Sequence, residues 1–291
     1  MTLQVPAGLQ QMGAAQQPMF LRIGVYGYPG SGKTFTSMTW PAPLLINPLA
    51  EGGHNTARHP DGSFIVQPVV IGSTHAAFLR DVPGSVSIKV ELEQWIDYIY
   101  RAALMKQCPW QTIVLGGFSD IATMIYEQAE KEAQDAQKRR GGKEDKHRAW
   151  GDVLAWYNRT VHMLFSLPFH VIIEMGCKVT MDKDNRDQVA TVEPDLSGRG
   201  GKLVLPRELD MLIYTERNGS TFFTHFAPRV SKPVFYMKAP RFLAMSFQQP
   251  VQDCSYDVFA QALGLPPIWV CDPGHPRCQQ GRWPWPVPWH V

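Results

Sequence analysis

The sequence predicts an α/β fold: a mostly parallel central sheet with helices on both faces and an antiparallel extension near the C-terminal end. Three observations point there. The octet Gly27-Tyr28-Pro29-Gly30-Ser31-Gly32-Lys33-Thr34 fits G-x-x-x-x-G-K-[ST], between a β-prone run over 20–26 and a helix-forming segment over 34–40. Short apolar runs suited to buried strands alternate with longer stretches of helical periodicity, as crossover units of a parallel sheet do. Late in the chain, Leu212-Ile213-Tyr214 and the run over 221–226 flank Arg217-Asn218-Gly219-Ser220, a turn between antiparallel strands.

The 291 residues are 44% apolar, enough for a full α/β core in one large domain with tails. That domain is expected over 20–247, after a flexible arm over 1–19 and before a helix and Pro/Trp-rich tail over 248–291. Lys+Arg 28 against Asp+Glu 26 leave a net charge of +2, so there is no global polyanion-binding character and any nucleic-acid contact must come from local patches. No apolar run approaches the ~18 residues of a membrane helix. The N-terminus lacks a charged segment followed by an apolar one, so neither a membrane partner nor secretion is expected. Five scattered cysteines fit reduced thiols in a cytoplasm.

In the octet, glycines let the backbone curl so that successive N–H groups point at one phosphate cluster. Every residue from Gly27 to Thr34 is therefore a candidate nucleotide contact, with Lys33 reaching the β/γ-phosphates and the Thr34 hydroxyl holding Mg²⁺. Pro41 and Pro43 end the following helix, and Leu44-Leu45-Ile46-Asn47 is a short buried strand. Glu51 falls just past its end, where ligands of open parallel sheets bind; it either orients an attacking water or is an ordinary solvated loop acid. Phe64-Ile65-Val66 and Val69-Val70-Ile71 are candidate strands. Leu92, Trp95, Ile96, Tyr98, Ile99, Ala102 and Ala103 have helical spacing, in a helix ending near Lys106.

Trp110-Gln111-Thr112-Ile113-Val114-Leu115 reads as the strand on which a phosphate-loop protein places a second, metal-associated acid. The residue there is Gly116, then Gly117; Asp120, the nearest carboxylate, comes four residues late. A charged helix over 121–137 runs into a basic cluster over 138–148, which either meets phosphates or is a solvated turn. Helical spacing returns over 150–167, Phe169-His170-Val171-Ile172-Ile173-Glu174-Met175 is another buried strand, and Cys177 reads as a core thiol. In the tail, Cys271, His275 and Cys278 lack the paired half a zinc site needs. Alternating Trp and Pro over 283–289 favour an extended segment that packs on the domain or docks into a partner.

Taken in order, these landmarks resemble the phage-encoded, RecA/RadA-like single-strand annealing ATPases, P-loop proteins often labelled phage nucleotide-binding or AAA-domain proteins. The resemblance spans 20 to about 247 and includes Leu167-Pro168-Phe169-His170-Val171-Ile172 leading into a sensor strand. It also includes Val192-Glu193-Pro194-Asp195-Leu196-Ser197-Gly198-Arg199-Gly200-Gly201-Lys202-Leu203, similar to the family's proline-aspartate-leucine-x-glycine loop. The resemblance implies a RecA-like domain that binds ATP and Mg²⁺, with a catalytic glutamate at Glu51 beside Lys33. It further implies head-to-tail assembly into rings or filaments, single-stranded DNA passing mobile loops, and work in the cytoplasm of an infected host.

Arg186, Arg199 and Lys202 would then contact the DNA backbone, or else belong to a β-hairpin with charged edges. Lys238 and Arg241 match by type the family's cationic fingers on a neighbour's γ-phosphate, with a spacing one residue longer, or are ordinary surface cations. The tail is a candidate dock for a single-strand-binding protein or another partner. Two positions depart from the pattern: Gly116 replaces the Mg²⁺-orienting acid, with Asp120 as the substitute metal-associated acid, and Gly176 replaces a polar sensor. Both losses weaken catalysis more than phosphate binding, so ATP binding with slow or absent hydrolysis is expected. The alternative is a nucleotide-binding structural or regulatory protein without turnover; a small-molecule kinase or packaging ATPase lacks its lid arginines or nuclease domain.

Overall fold

Strand β1 (Arg22–Gly27) is buried from Ile23 onward, as a strand flanked on both sides and covered on both faces must be. Its neighbours β5 (His170–Met175) and β8 (Met211–Asn218) run parallel to it. Beyond β5 the parallel series continues through β4 (Thr112–Leu115), β2 (Pro43–Pro48) and the edge strand β3 (Val69–Ile71). Beyond β8, β9 (Thr221–His225) and β11 (Val251–Gln252) run antiparallel, completing the eight-stranded order β11-β9-β8-β1-β5-β4-β2-β3. The computed structural model describes residues 20–49, 68–105, 107–140, 146–196, 204–229, 231–240, 244–245, 247–263 and 265. The mostly parallel sheet and the antiparallel C-terminal extension are as the sequence predicts.

Side chains alternate across each strand, so one sheet feeds two cores. Leu44, Ile46, Ile113, Leu115, Val171 and Ile173 face α3 (Ile88–Leu104), α4 (Phe118–Arg140) and α5 (Lys146–Phe165). Leu45, Val114, Ile172, Val25 and Ile213 face the other way, towards α1 (Lys33–Met38), Trp40 and α6 (Tyr256–Leu263). Each of these fully buried aliphatics contributes roughly 2 kcal/mol. Helix α3 shows how a local code serves this packing. Ser87 accepts the Val90 N–H at 3.3 Å as its N-cap, Glu91 lies in the first turn and Arg101 in the last, and Leu92, Ile96 and Ile99 form its buried stripe. A four-residue helix, α2 (His75–Phe78), follows β3.

A smaller sheet, β10-β7-β6, is made of β6 (Cys177–Met181), β7 (Val189–Pro194) and β10 (Val234–Phe235). It docks at the C-terminal end of β1, where the Tyr26 hydroxyl donates to the Val192 carbonyl at 3.3 Å and Val192, Leu196 and Phe235 join the main core. Burial drives the Tyr26 phenol far above its ordinary pKa, so the hydroxyl keeps that proton.

Three details differ from expectation. Helix α4 starts at Phe118, directly after Gly117 at φ 55°, because the left-handed glycine turns the chain three residues sooner than the apolar spacing signals. Cys177 is only half-buried, at the first residue of β6. Past residue 247, β11 extends the sheet, and Tyr256, Phe259 and Leu265 fill its second core, so the described chain remains part of the same packed body. Phe64-Ile65-Val66 and the tail from 266 lie outside the described residues. Among the described residues no helix is long and apolar enough to cross a membrane.

Candidate functional site

The octet caps β1 and is held from the side by β8 and β9. A Cβ on Gly27 would stand 2.2 Å from the Thr215 carbonyl oxygen and 2.6 Å from Ser31 Oγ, so only glycine lets the loop leave the strand this close to β8. Gly32, with φ 91°, is the N-cap of α1, and a Cβ there would meet the Phe222 ring at 2.7 Å. Between them the Ser31 N–H donates to the Tyr28 carbonyl at 3.1 Å, and the Ser31 and Thr215 hydroxyls share a hydrogen bond of 2.9 Å. The half-exposed Phe35 ring stacks on Phe222 at 5.5 Å, bracing the start of α1.

Lys33 and Thr34, the two polar side chains that end the loop, have defined positions. Lys33 Nζ donates to the carbonyls of Gly27 at 3.1 Å and Tyr28 at 3.0 Å, which folds the ammonium back over the loop. Thr34 Oγ1 donates to Glu174 Oε2 at 2.9 Å. Glu174 lies near the end of β5, the strand beside β1, in register with Val25, and is 2% exposed. The carboxylate at the candidate metal hydroxyl is thus Glu174. Asp120, proposed from sequence for that role, is exposed in the first turn of α4.

At the end of β4, where the sequence predicts the acid, the neighbouring β2 lies close. A Cβ on Gly116 would lie 2.0 Å from Asn47 Oδ1, so the amide of buried Asn47 fills the space an aspartate side chain needs. Strand β4 is also not adjacent to β1; β5 lies between them. At Gly176 the position is open, the nearest contact of a Cβ being Ser119 Oγ at 3.6 Å. Ser119 accepts the Gly176 N–H at 3.0 Å and donates to the Asp195 carbonyl, tying the end of β5 to the loop after β7. Beside it, burial raises the Cys177 thiol pKa while the Lys33 charge opposes that rise.

The remaining sequence-derived residues divide by place. Arg186 is exposed in the turn between β6 and β7, where Asp187 N–H bonds Asn185 Oδ1 at 3.2 Å. Lys238 is engaged within its own chain: Nζ donates to the carbonyls of Pro206, Arg207 and Leu209, closing the helical turn over 204–208. Its backbone pairs with Leu212 in both directions, at 2.6 and 3.0 Å. Within its own chain this side chain is thus placed as a C-terminal helix cap. Glu51, Arg199, Lys202 and Arg241 lie outside the described residues.

Sequence reasoning missed Glu174, Ser119, Thr215 and Asn47. Glu174 alone left a signal, an acid at the end of an otherwise apolar strand.

A family described as an AAA domain matches residues 19–241. No curated protein matches. Among solved structures, a KaiC-like protein from the hyperthermophilic archaeon Pyrococcus horikoshii OT3 is similar at 13% identity and a TM-score of 0.32, over 74% of this chain and 81% of that one.

Proposed function

The chain belongs to the AAA-domain family, and on that premise we propose that it binds ATP with Mg²⁺ on the loop from Gly27 to Thr34 and couples that binding to single-stranded DNA as a homo-oligomer. One observation carries the nucleotide reading: the loop is backed so closely by Thr215 and Phe222 that Gly27 and Gly32 admit no side chain. Its backbone amides face a phosphate cluster, Lys33 neutralises the β- and γ-phosphates, and the Thr34 hydroxyl is placed to hold a cation. Bound Mg²⁺ supplies charge neutralisation on the phosphate oxygens. Glu51 is the proposed base for the attacking water.

The DNA reading is the finer part of the proposal. Arg186 stands at the tip of a hairpin whose other end reaches β1 through the bond from Tyr26 to Val192, so the hairpin packs on the strand that carries the octet. With Arg199 and Lys202 it would contact phosphates of a single strand without reading bases. The work proposed is annealing or strand pairing in phage-type recombination, as a ring or filament in the host cytoplasm, with the Pro/Trp-rich tail engaging a single-strand-binding protein. For Lys238 to act with Arg241 on a neighbour's γ-phosphate, its three carbonyl bonds must first open.

Gly116 favours a second reading, a nucleotide-binding structural or regulatory protein without turnover. Electron microscopy with single-stranded DNA, with and without a slowly hydrolysed ATP analogue, tests the first reading. Nucleotide-dependent rings or filaments on DNA support it, and dispersed particles in every condition refute it. An ATPase assay separates the two: robust turnover lost on Glu51→Gln excludes the second.

A further inference from the structure

We propose that Glu174 is this chain's metal-associated acid, a role transferred from the end of β4 to the end of the adjacent strand β5; this rests on reading the loop as the nucleotide site. Thr34 Oγ1 donates a hydrogen bond to Glu174 Oε2 at 2.9 Å. Donation in that direction leaves the hydroxyl's lone pairs available to a cation and puts negative charge directly behind it. Hydroxyl and carboxylate are both hard oxygen donors, the kind Mg²⁺ takes. Among the described residues no group of three or more His, Cys, Asp or Glu side chains forms a metal cage. The cation would therefore draw most of its ligands from phosphate and water, as Mg²⁺ commonly does in nucleotide sites.

Two further observations separate this assignment from that of an ordinary buried acid. The carboxylate is 2% exposed and stands near the end of a central strand. Here it lies one strand from β1, at the hydroxyl of the residue that follows Lys33. The position it replaces is crowded as well, since Asn47 Oδ1 would stand 2.0 Å from a Cβ at residue 116 and would have to move. Glu174 acts through Thr34 and the cation, so it is a positioning residue.

The test measures binding of a fluorescent ATP analogue to the full chain with Mg²⁺ and with EDTA, beside Mn²⁺ binding by electron paramagnetic resonance in the presence of ATP. Glu174→Gln is expected to keep metal-free nucleotide affinity and lose roughly 10-fold or more of the Mg²⁺-dependent gain and of Mn²⁺ affinity. Thr34→Ala should lose the same gain, and the double variant should be no worse than either single one. Glu174→Asp, which keeps the charge, covers the case where the glutamine variant does not fold, and should show a partial loss. A folded Glu174→Gln variant with the full Mg²⁺ gain overturns the proposal, as does loss of that gain on Asp120→Asn instead. If the parent retains no nucleotide with or without metal, the reading of the loop fails rather than the assignment of Glu174.

Discussion

Strands β4 and β5 lie side by side in register, Thr112 opposite His170 and Leu115 opposite Ile173, yet their ends differ at every chemical position. At the C-terminal end β4 runs into Gly116 against the Asn47 amide, while β5 carries Glu174 on the Thr34 hydroxyl. At the N-terminal end the Thr112 hydroxyl donates to the Pro41 carbonyl at 2.8 Å, while His170 Nδ1 accepts the Leu21 N–H at 3.1 Å. The strand beside β1 holds the titratable groups, and the strand one place further out holds neutral ones.

The sharpest way to break this comparison is to force the acid back onto β4. Gly116→Asp should cost about 3 kcal/mol or more in denaturant unfolding, because its side chain overlaps the Asn47 amide; adding Asn47→Gly should recover part of that loss. Gly176→Ser on β5's side meets nothing closer than Ser119, so its cost should stay within about 1 kcal/mol. Equal costs at the two positions would remove the steric half of the account.

The other end of β5 predicts a pH effect that β4 lacks. Burial among Phe20, Trp40 and Tyr256 lowers the His170 pKa from 6.5 to about 4. Its Nδ1 must stay unprotonated to accept from Leu21. Between those two values the unfolded chain binds a proton that the folded chain refuses. The stabilisation is therefore complete above pH 6.5 and lost as pH falls towards 4. Thermal unfolding should show about 2 kcal/mol less stability at pH 5 than at pH 7. His170→Gln should flatten that slope, leaving the part that comes from His75, also lowered by burial. An unchanged slope in the variant would mean that His170 is charged in the fold.

The smallest effect is expected away from both strands. Arg186→Ala, at the exposed hairpin turn, should reduce the salt dependence of single-strand binding by roughly 0.7 in log–log slope, with fold stability unchanged. An identical slope would remove Arg186 from the DNA path.

The contrast between β4 and β5 also marks how far the sequence is legible. The octet, the central strands and the stripe of α3 are local patterns, since spacing along the chain alone dictates backbone curl, period and burial. The curl of the octet at the end of β1 was readable for that reason. Glu174 was visible as an acid ending a buried run, but its partner Thr34 lies 140 residues away. Only the neighbouring of β1 and β5 brings them together. Asn47 beside Gly116 and Lys238 on the carbonyls after 206 are likewise products of strand order and chain closure. A short motif cannot specify them.

The most direct test of the central claim is retention of labelled ATP by the full chain in equilibrium dialysis with Mg²⁺, parent beside Lys33→Ala. The account predicts saturable retention by the parent and a loss of roughly 10- to 100-fold in affinity when the ammonium is removed from the phosphates. No retention by the folded parent, or equal retention by the Lys33 variant, would contradict it.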